Sequence, residues 1–128
     1  MNGELVELQK RVLDLKRKRN ALILAHNYQP LGIQKIADFV GDSLQLAVKS
    51  AEAKEYDLVV FCGVKFMAEM AAVLSPDTPV YIPAPEALCP LASFVSPDKV
   101  RAKKREHSGA PVVVYVNTTA ETKSSCDI

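Results

Sequence analysis

Ala21-Leu-Ile-Leu-Ala25 is a short unbroken apolar run that stops abruptly at His26-Asn-Tyr-Gln-Pro30. Such a run reads as a strand buried on both faces, the kind found in a parallel sheet. Upstream, Leu5, Leu8, Val12 and Leu15 form one helical stripe across Glu4 to Arg19. Downstream, Ile33, Ile36, Ala37, Val40, Leu44, Ala47, Val48 and Ala51 keep helical spacing, interrupted at Gly41. Asp42 and Gln45 stand at capping-box spacing, which predicts a fresh helix from Ser43.

The strand–helix unit then recurs. Asp57 to Phe61 is a second predicted strand, followed by a helix from Val64 to Leu74. Pro79 to Ile82 is a third, short and fenced by prolines. Pro90 suits the first position of a short helix, with Cys89 as its N-cap. A charged helix over Pro97 to Glu106 leads to Val112–Val116, the predicted fourth strand, and Thr118 to Glu121 is a capping box for a last helix. Alternation of this kind implies a three-layer α/β/α fold with a parallel sheet. The expected division is a first α/β domain over 1–108 and the start of a second, cut short, over 109–128. The fourth strand either joins the first sheet or opens that second domain.

Composition narrows the class. Of 128 residues, 48% are hydrophobic and 24% charged, and 16 Lys and Arg face 15 Asp and Glu. Near-zero net charge argues against a nucleic-acid partner. No apolar run approaches the roughly 18 residues a membrane span needs, and the N-terminus carries two glutamates with no apolar signal region. The expected location is the cytoplasm, where Cys62, Cys89 and Cys126 read as thiols or metal ligands rather than disulfides.

In open α/β sheets, ligands bind beyond the carboxyl ends of the strands, where helix N-termini offer free N–H groups to anions. His26 with Tyr28, Ser43, Cys62, Cys89, and Tyr115 with Asn117 all fall at such places. Together they look like a site for a small anionic metabolite. Each also has a plain structural reading. His26 can bond a backbone carbonyl, Tyr28 and Tyr115 can pack, Ser43 can simply open a helix, and Cys62 can be a small buried hydrophobe. Cys89 differs, because a helix start favours the thiolate that metals want.

Four segments carry a resemblance: Ile23-Leu-Ala-His-Asn-Tyr-Gln29, Ile36-Ala-Asp-Phe-Val-Gly-Asp-Ser-Leu-Gln-Leu-Ala47, Phe61-Cys-Gly-Val-Lys-Phe-Met-Ala-Glu69 and Tyr115-Val-Asn117. In that order they resemble the A-type quinolinate synthase family. The resemblance implies three similar α/β domains around a central site, of which this chain holds the first and the start of the second. It implies condensation of iminoaspartate (iminosuccinate) with dihydroxyacetone phosphate to quinolinate, in de novo NAD biosynthesis, on a [4Fe-4S] cluster with one cysteine from each domain. By motif, Tyr28 is similar to an acid–base tyrosine, and His26, Ser43, Tyr115, Val116 and Asn117 to substrate-binding residues. Cys89 is similar to the first domain's cluster ligand, while Cys62 and Cys126 match no ligand position. The aspartate oxidase that makes iminoaspartate is the implied protein partner. On this resemblance the 128-residue chain alone is expected to be inactive, for want of the other two cluster cysteines. The competing reading is a noncatalytic α/β module that binds small anions.

Overall fold

The structure is a computed structural model that describes residues 3–128, so the first two residues of the expected 1–108 domain lie outside it. Four parallel strands form one sheet in the order β2-β1-β3-β4. They are β1 (Ala21–His26), β2 (Phe39–Gly41), β3 (Leu58–Cys62) and β4 (Val80–Tyr81). The helices are α1 (Gly3–Lys18), α2 (Leu31–Gln34), α3 (Ser43–Ala51), α4 (Lys65–Leu74), α5 (Pro97–Glu106) and α6 (Ala120–Lys123). Helices lie on both sides of the sheet, as the alternation predicts.

β1 is one of the two inner strands, and all six of its residues are buried. It pairs with β3 from Ala21↔Leu58 to Ala25↔Cys62 and with β2 from Leu24↔Phe39 to His26↔Gly41. Asn20, with φ 44°, makes the sharp entry from α1 into β1. An asparagine tolerates that left-handed conformation better than most residues. On one face, Leu22, Leu24, Val59 and Phe61 pack with Leu46 of α3 and Ala68 and Ala71 of α4. Burying each of the large side chains there is worth roughly 1.5–3 kcal/mol. On the other face, Leu58 and Val60 line a shallow apolar groove with Val12 and Leu15 of α1. So β1 is buried on both faces, whereas β3 buries only alternate residues fully.

Two helices of the main core are also locked by polar contacts. The Ser50 hydroxyl of α3 donates to the Ala71 carbonyl of α4 at 3.3 Å, and the Ser75 hydroxyl donates to the Ser50 carbonyl. Both serines are buried. These hydrogen bonds offset the cost of taking the two hydroxyls out of water.

Several expectations are corrected. Ile33 to Val40 is not one helix: α2 is a single turn, and Phe39–Gly41 is strand β2. Asp38 explains the switch. Its N–H donates to the Ile23 carbonyl at 2.8 Å, and its carboxylate accepts from the Ile23 N–H at 2.8 Å and pairs with Lys16. The open edge of β1 thus captures the segment, and β-prone Phe39 and Val40 continue the ladder. Val112–Val116, the predicted fourth strand, is not a strand in the structure and is not part of the sheet. Val112 and Val114 bond instead to Asp127 and Ile128: Asp127 N–H meets the Val112 carbonyl, and Val114 N–H meets the Ile128 carbonyl. The Asp127 carboxylate also accepts from Val112 N–H and Lys104, contacts that hold its pKa below the usual carboxylate value. Cys89 caps no helix; the segment after it is a three-residue 3-10 turn, Leu91–Ser93, with Pro90 at the cap position. The last helix is capped by Thr119, one residue later than predicted, because the Thr118 hydroxyl donates to the Tyr115 carbonyl instead. The capping box of Asp42 and Gln45 is present in full, and α3 begins at Ser43 as the spacing predicts.

Candidate active site

Beyond the carboxyl ends of the strands lies a cleft of about 450 Å³. His26, Tyr28, Ser43, Cys89 and Asn117, five residues singled out in the sequence, line it together. Asp42, Gly63, Phe66 and Met67 also line it and were not singled out for the site. The helical frame around Asp42 and the glycine after β3 were the available signals.

Each side chain is placed by a different local device. His26 ends β1, and Asn27 N–H donates to the Gly41 carbonyl at 3.0 Å, tying the loop to the end of β2. The Gln34 side-chain amide donates to the carbonyls of Asn27 and Gln29, closing that loop from outside. Ser43 opens α3 under its capping box. Gly41 must be small: an added Cβ would stand 2.8 Å from the Phe39 ring and 2.8 Å from Gln45 Oε1. Cys89 is half-buried and carried by the segment that Lys65 N–H holds through the Ala87 carbonyl at 2.8 Å. The first turns of α3 and α4 thus border one cleft, and both bring the positive end of a helix dipole to it.

His26 is 8% exposed. Its Nδ1 accepts from the Tyr28 N–H at 3.2 Å, so the neutral ring carries its proton on Nε2. The Tyr28 ring meets the imidazole edge-on at 4.6 Å and is otherwise 89% exposed. Burial pushes the His26 pKa below the ordinary histidine value, and the nearby Asp42 carboxylate offsets part of that. The site therefore presents a neutral N–H donor rather than an imidazolium. An NMR titration of the His26 ring is expected to give a midpoint below about 6.5, moving lower still in Asp42→Asn. The unfolded chain then binds this proton more readily than the folded one. His26's contribution to stability is whole above about pH 6.5 and is lost as the pH falls toward the folded-state pKa. A midpoint above the ordinary value would show a charge-paired imidazolium instead.

Three predicted residues need separate placement. Tyr115 is 67% exposed and does not line the cleft. Val116 lines a neighbouring apolar groove with Met70, Val73 and Leu74 of α4. Asn117 alone of that trio reaches the cleft. Among the other cysteines, the Cys62 thiol is pushed above its usual pKa by burial, and the Cys126 thiol donates to the Thr122 carbonyl at 3.3 Å. Among the described residues, no group of three or more His, Cys, Asp or Glu stands together to hold a metal. No helix among them is long and apolar enough to cross a membrane.

Comparison with known proteins places the chain in a family. Residues 10–128 match the family model described as quinolinate synthetase A protein. A quinolinate synthase of Methanoregula boonei is 53% identical over 94% of this chain, and one of Methanothermobacter thermautotrophicus is 50% identical over 95%. One from Aquifex aeolicus is 47% identical over 98%. The chain spans about 40% of the length of these relatives. The match runs through all four segments that form or border the cleft, and the chain belongs to the quinolinate synthetase A family.

Proposed function

We propose that this chain is the first domain, with the opening of the second, of a cytoplasmic quinolinate synthase that condenses iminoaspartate with dihydroxyacetone phosphate in NAD biosynthesis. The observation that carries the reading is the gathering of His26, Tyr28, Ser43, Cys89 and Asn117 on one cleft. A division near residue 108, and an aspartate oxidase as the source of the unstable imine, belong to the same reading.

The chemistry fits the residue types. A dicarboxylate needs donors, and His26 Nε2–H, the Ser43 hydroxyl at its helix start and the Asn117 amide supply them. Ring closure needs protons moved at an oxygen or carbon of the bound intermediate, and the exposed Tyr28 hydroxyl is free to enter that space. Cys89, half-buried at the cleft edge, is the thiol suited to hold one iron of a [4Fe-4S] cluster. When bound, the cluster would supply an electrophilic iron beside the substrate. Cys62 and Cys126 fit that role poorly, one being held as a thiol by burial and the other turned to a backbone carbonyl.

A chimera tests the assignment: residues 10–128 replacing the matching N-terminal part of the Methanoregula boonei enzyme. Reconstituted anaerobically with iron and sulfide, it is expected to make quinolinate, and Cys89→Ser is expected to abolish both cluster and product. A folded chimera that binds its cluster yet makes no quinolinate would overturn the reading. The unfused 128-residue chain, with one suitable thiol at its cleft, is expected to hold no stoichiometric cluster.

A further inference from the structure

Glu69 stands on α4, half-buried and outside the cleft, yet its carboxylate reaches a backbone group 51 residues away. Its Oε2 accepts from the Ala120 N–H at 2.8 Å. Asn117, which lines the cleft, lies three residues before Ala120. Between them the chain is knotted to itself. Thr118 N–H donates to the Val116 carbonyl, the Thr118 hydroxyl to the Tyr115 carbonyl, and the Thr119 hydroxyl to that of Thr122. A turn so closely self-bonded moves as one piece, so its orientation depends on what holds it from outside.

Two polar anchors do this: Glu69 to Ala120, and the Thr122 hydroxyl to the Val95 carbonyl at 3.2 Å. The Glu69 anchor is charge-assisted, the stronger kind of hydrogen bond. Burial lowers the Lys123 pKa, and the nearby Glu69 carboxylate offsets part of that. The same helix that carries Glu69 walls the cleft with Phe66 and Met67 at its first turn. One rigid element therefore borders the ligand space and grips the turn that delivers Asn117 to it.

We propose that Glu69 is a positioning residue that fixes Asn117 in the cleft through Ala120, without touching ligand itself. The proposal rests on the reading of the cleft as a dicarboxylate site. Its test separates the two. The ¹⁵N-labelled 128-residue chain is titrated with L-malate, a four-carbon dicarboxylate, and amide exchange is followed at Ala120.

In Glu69→Ala, malate is expected to bind about tenfold more weakly, the scale of one ordinary hydrogen bond. Ala120 should exchange faster, and the Asn117 side-chain resonances should shift. Glu69→Gln keeps an oxygen that accepts from Ala120 N–H and should restore most of the affinity. In an Asn117→Ala background, Glu69→Ala should cost no further affinity. Ala120→Pro removes the donor from the other side, and it keeps the test open if Glu69→Ala fails to fold. Proline is well tolerated at the first helical position, and Thr119 before it is already extended, with ψ 151°. That variant should reproduce the loss.

Equal weakening by Glu69→Ala with and without Asn117 would overturn the proposal, as would unchanged Asn117 resonances. If the unaltered chain binds no malate, the dicarboxylate reading of the cleft fails. The tether is then still decided by Ala120 exchange and the Asn117 resonances.

Discussion

Tyr28→Phe in the quinolinate-forming chimera is expected to lower turnover by about 10²–10⁴-fold, the usual contribution of a positioned proton-transfer group. Substrate affinity should change little. Tyr28 is 89% exposed, and its ring meets His26 edge-on at 4.6 Å, a contact phenylalanine keeps. Little packing is lost with the hydroxyl, so the substitution isolates its chemistry. Steady-state kinetics decide the matter: kcat should fall with KM nearly constant. A raised KM with kcat intact would make Tyr28 a binding residue.

Phe61→Ala is expected to destabilise the chain by about 3–5 kcal/mol, the range for emptying a buried phenylalanine site. Small domains have total stabilities of roughly 5–15 kcal/mol, so much of the margin would go. Phe61 is fully buried among the residues that join β1, β3, α3 and α4. It also lies directly beneath the cleft, since a Cβ on Gly63 would come within 2.8 Å of its ring. Urea unfolding should show the lower midpoint, and the vacated ring should loosen the loop at Gly63. A loss below about 1 kcal/mol would mean that the surrounding side chains collapse into the space.

Much of this was legible in the residues. The apolar run at 21–25 and the abrupt polar turn after it locate β1 and the cleft, because burial on both faces leaves no room for polar side chains. Asp42 and Gln45 announced the start of α3, since a capping box is a local device whose spacing is visible without tertiary structure. Strand β2 was not legible. Phe39 and Val40 fit the helical spacing of Ile33 and Ile36, and only pairing with β1 through Asp38 decides between the two periods. Val112–Val116 failed in the opposite way. Its composition is ideal for a strand, but strands exist only in pairs, and here its backbone turns to Asp127 and Ile128. In the site, His26 and Tyr28 are legible from the end of β1 and Ser43 from its capping box, while Phe66 and Met67 enter the cleft through the orientation of α4, which spacing does not encode. Tyr115 and Val116, just before Asn117 in sequence, lie in no regular element, so spacing does not encode which of the three faces the cleft.

The buried pair Ser50 and Ser75 bears on how the cleft meets a ligand. A flexible cavity must lose conformational entropy when its walls close, and that cost subtracts from affinity. Here the two helices whose first turns border the cleft are already cross-bonded through Ser50, Ala71 and Ser75. Sliding one past the other would strand hydroxyls and carbonyls away from water, at the penalty of an unmade buried hydrogen bond. The aperture between α3 and α4 is thus preorganised, and whatever enters it finds these two walls set before it arrives.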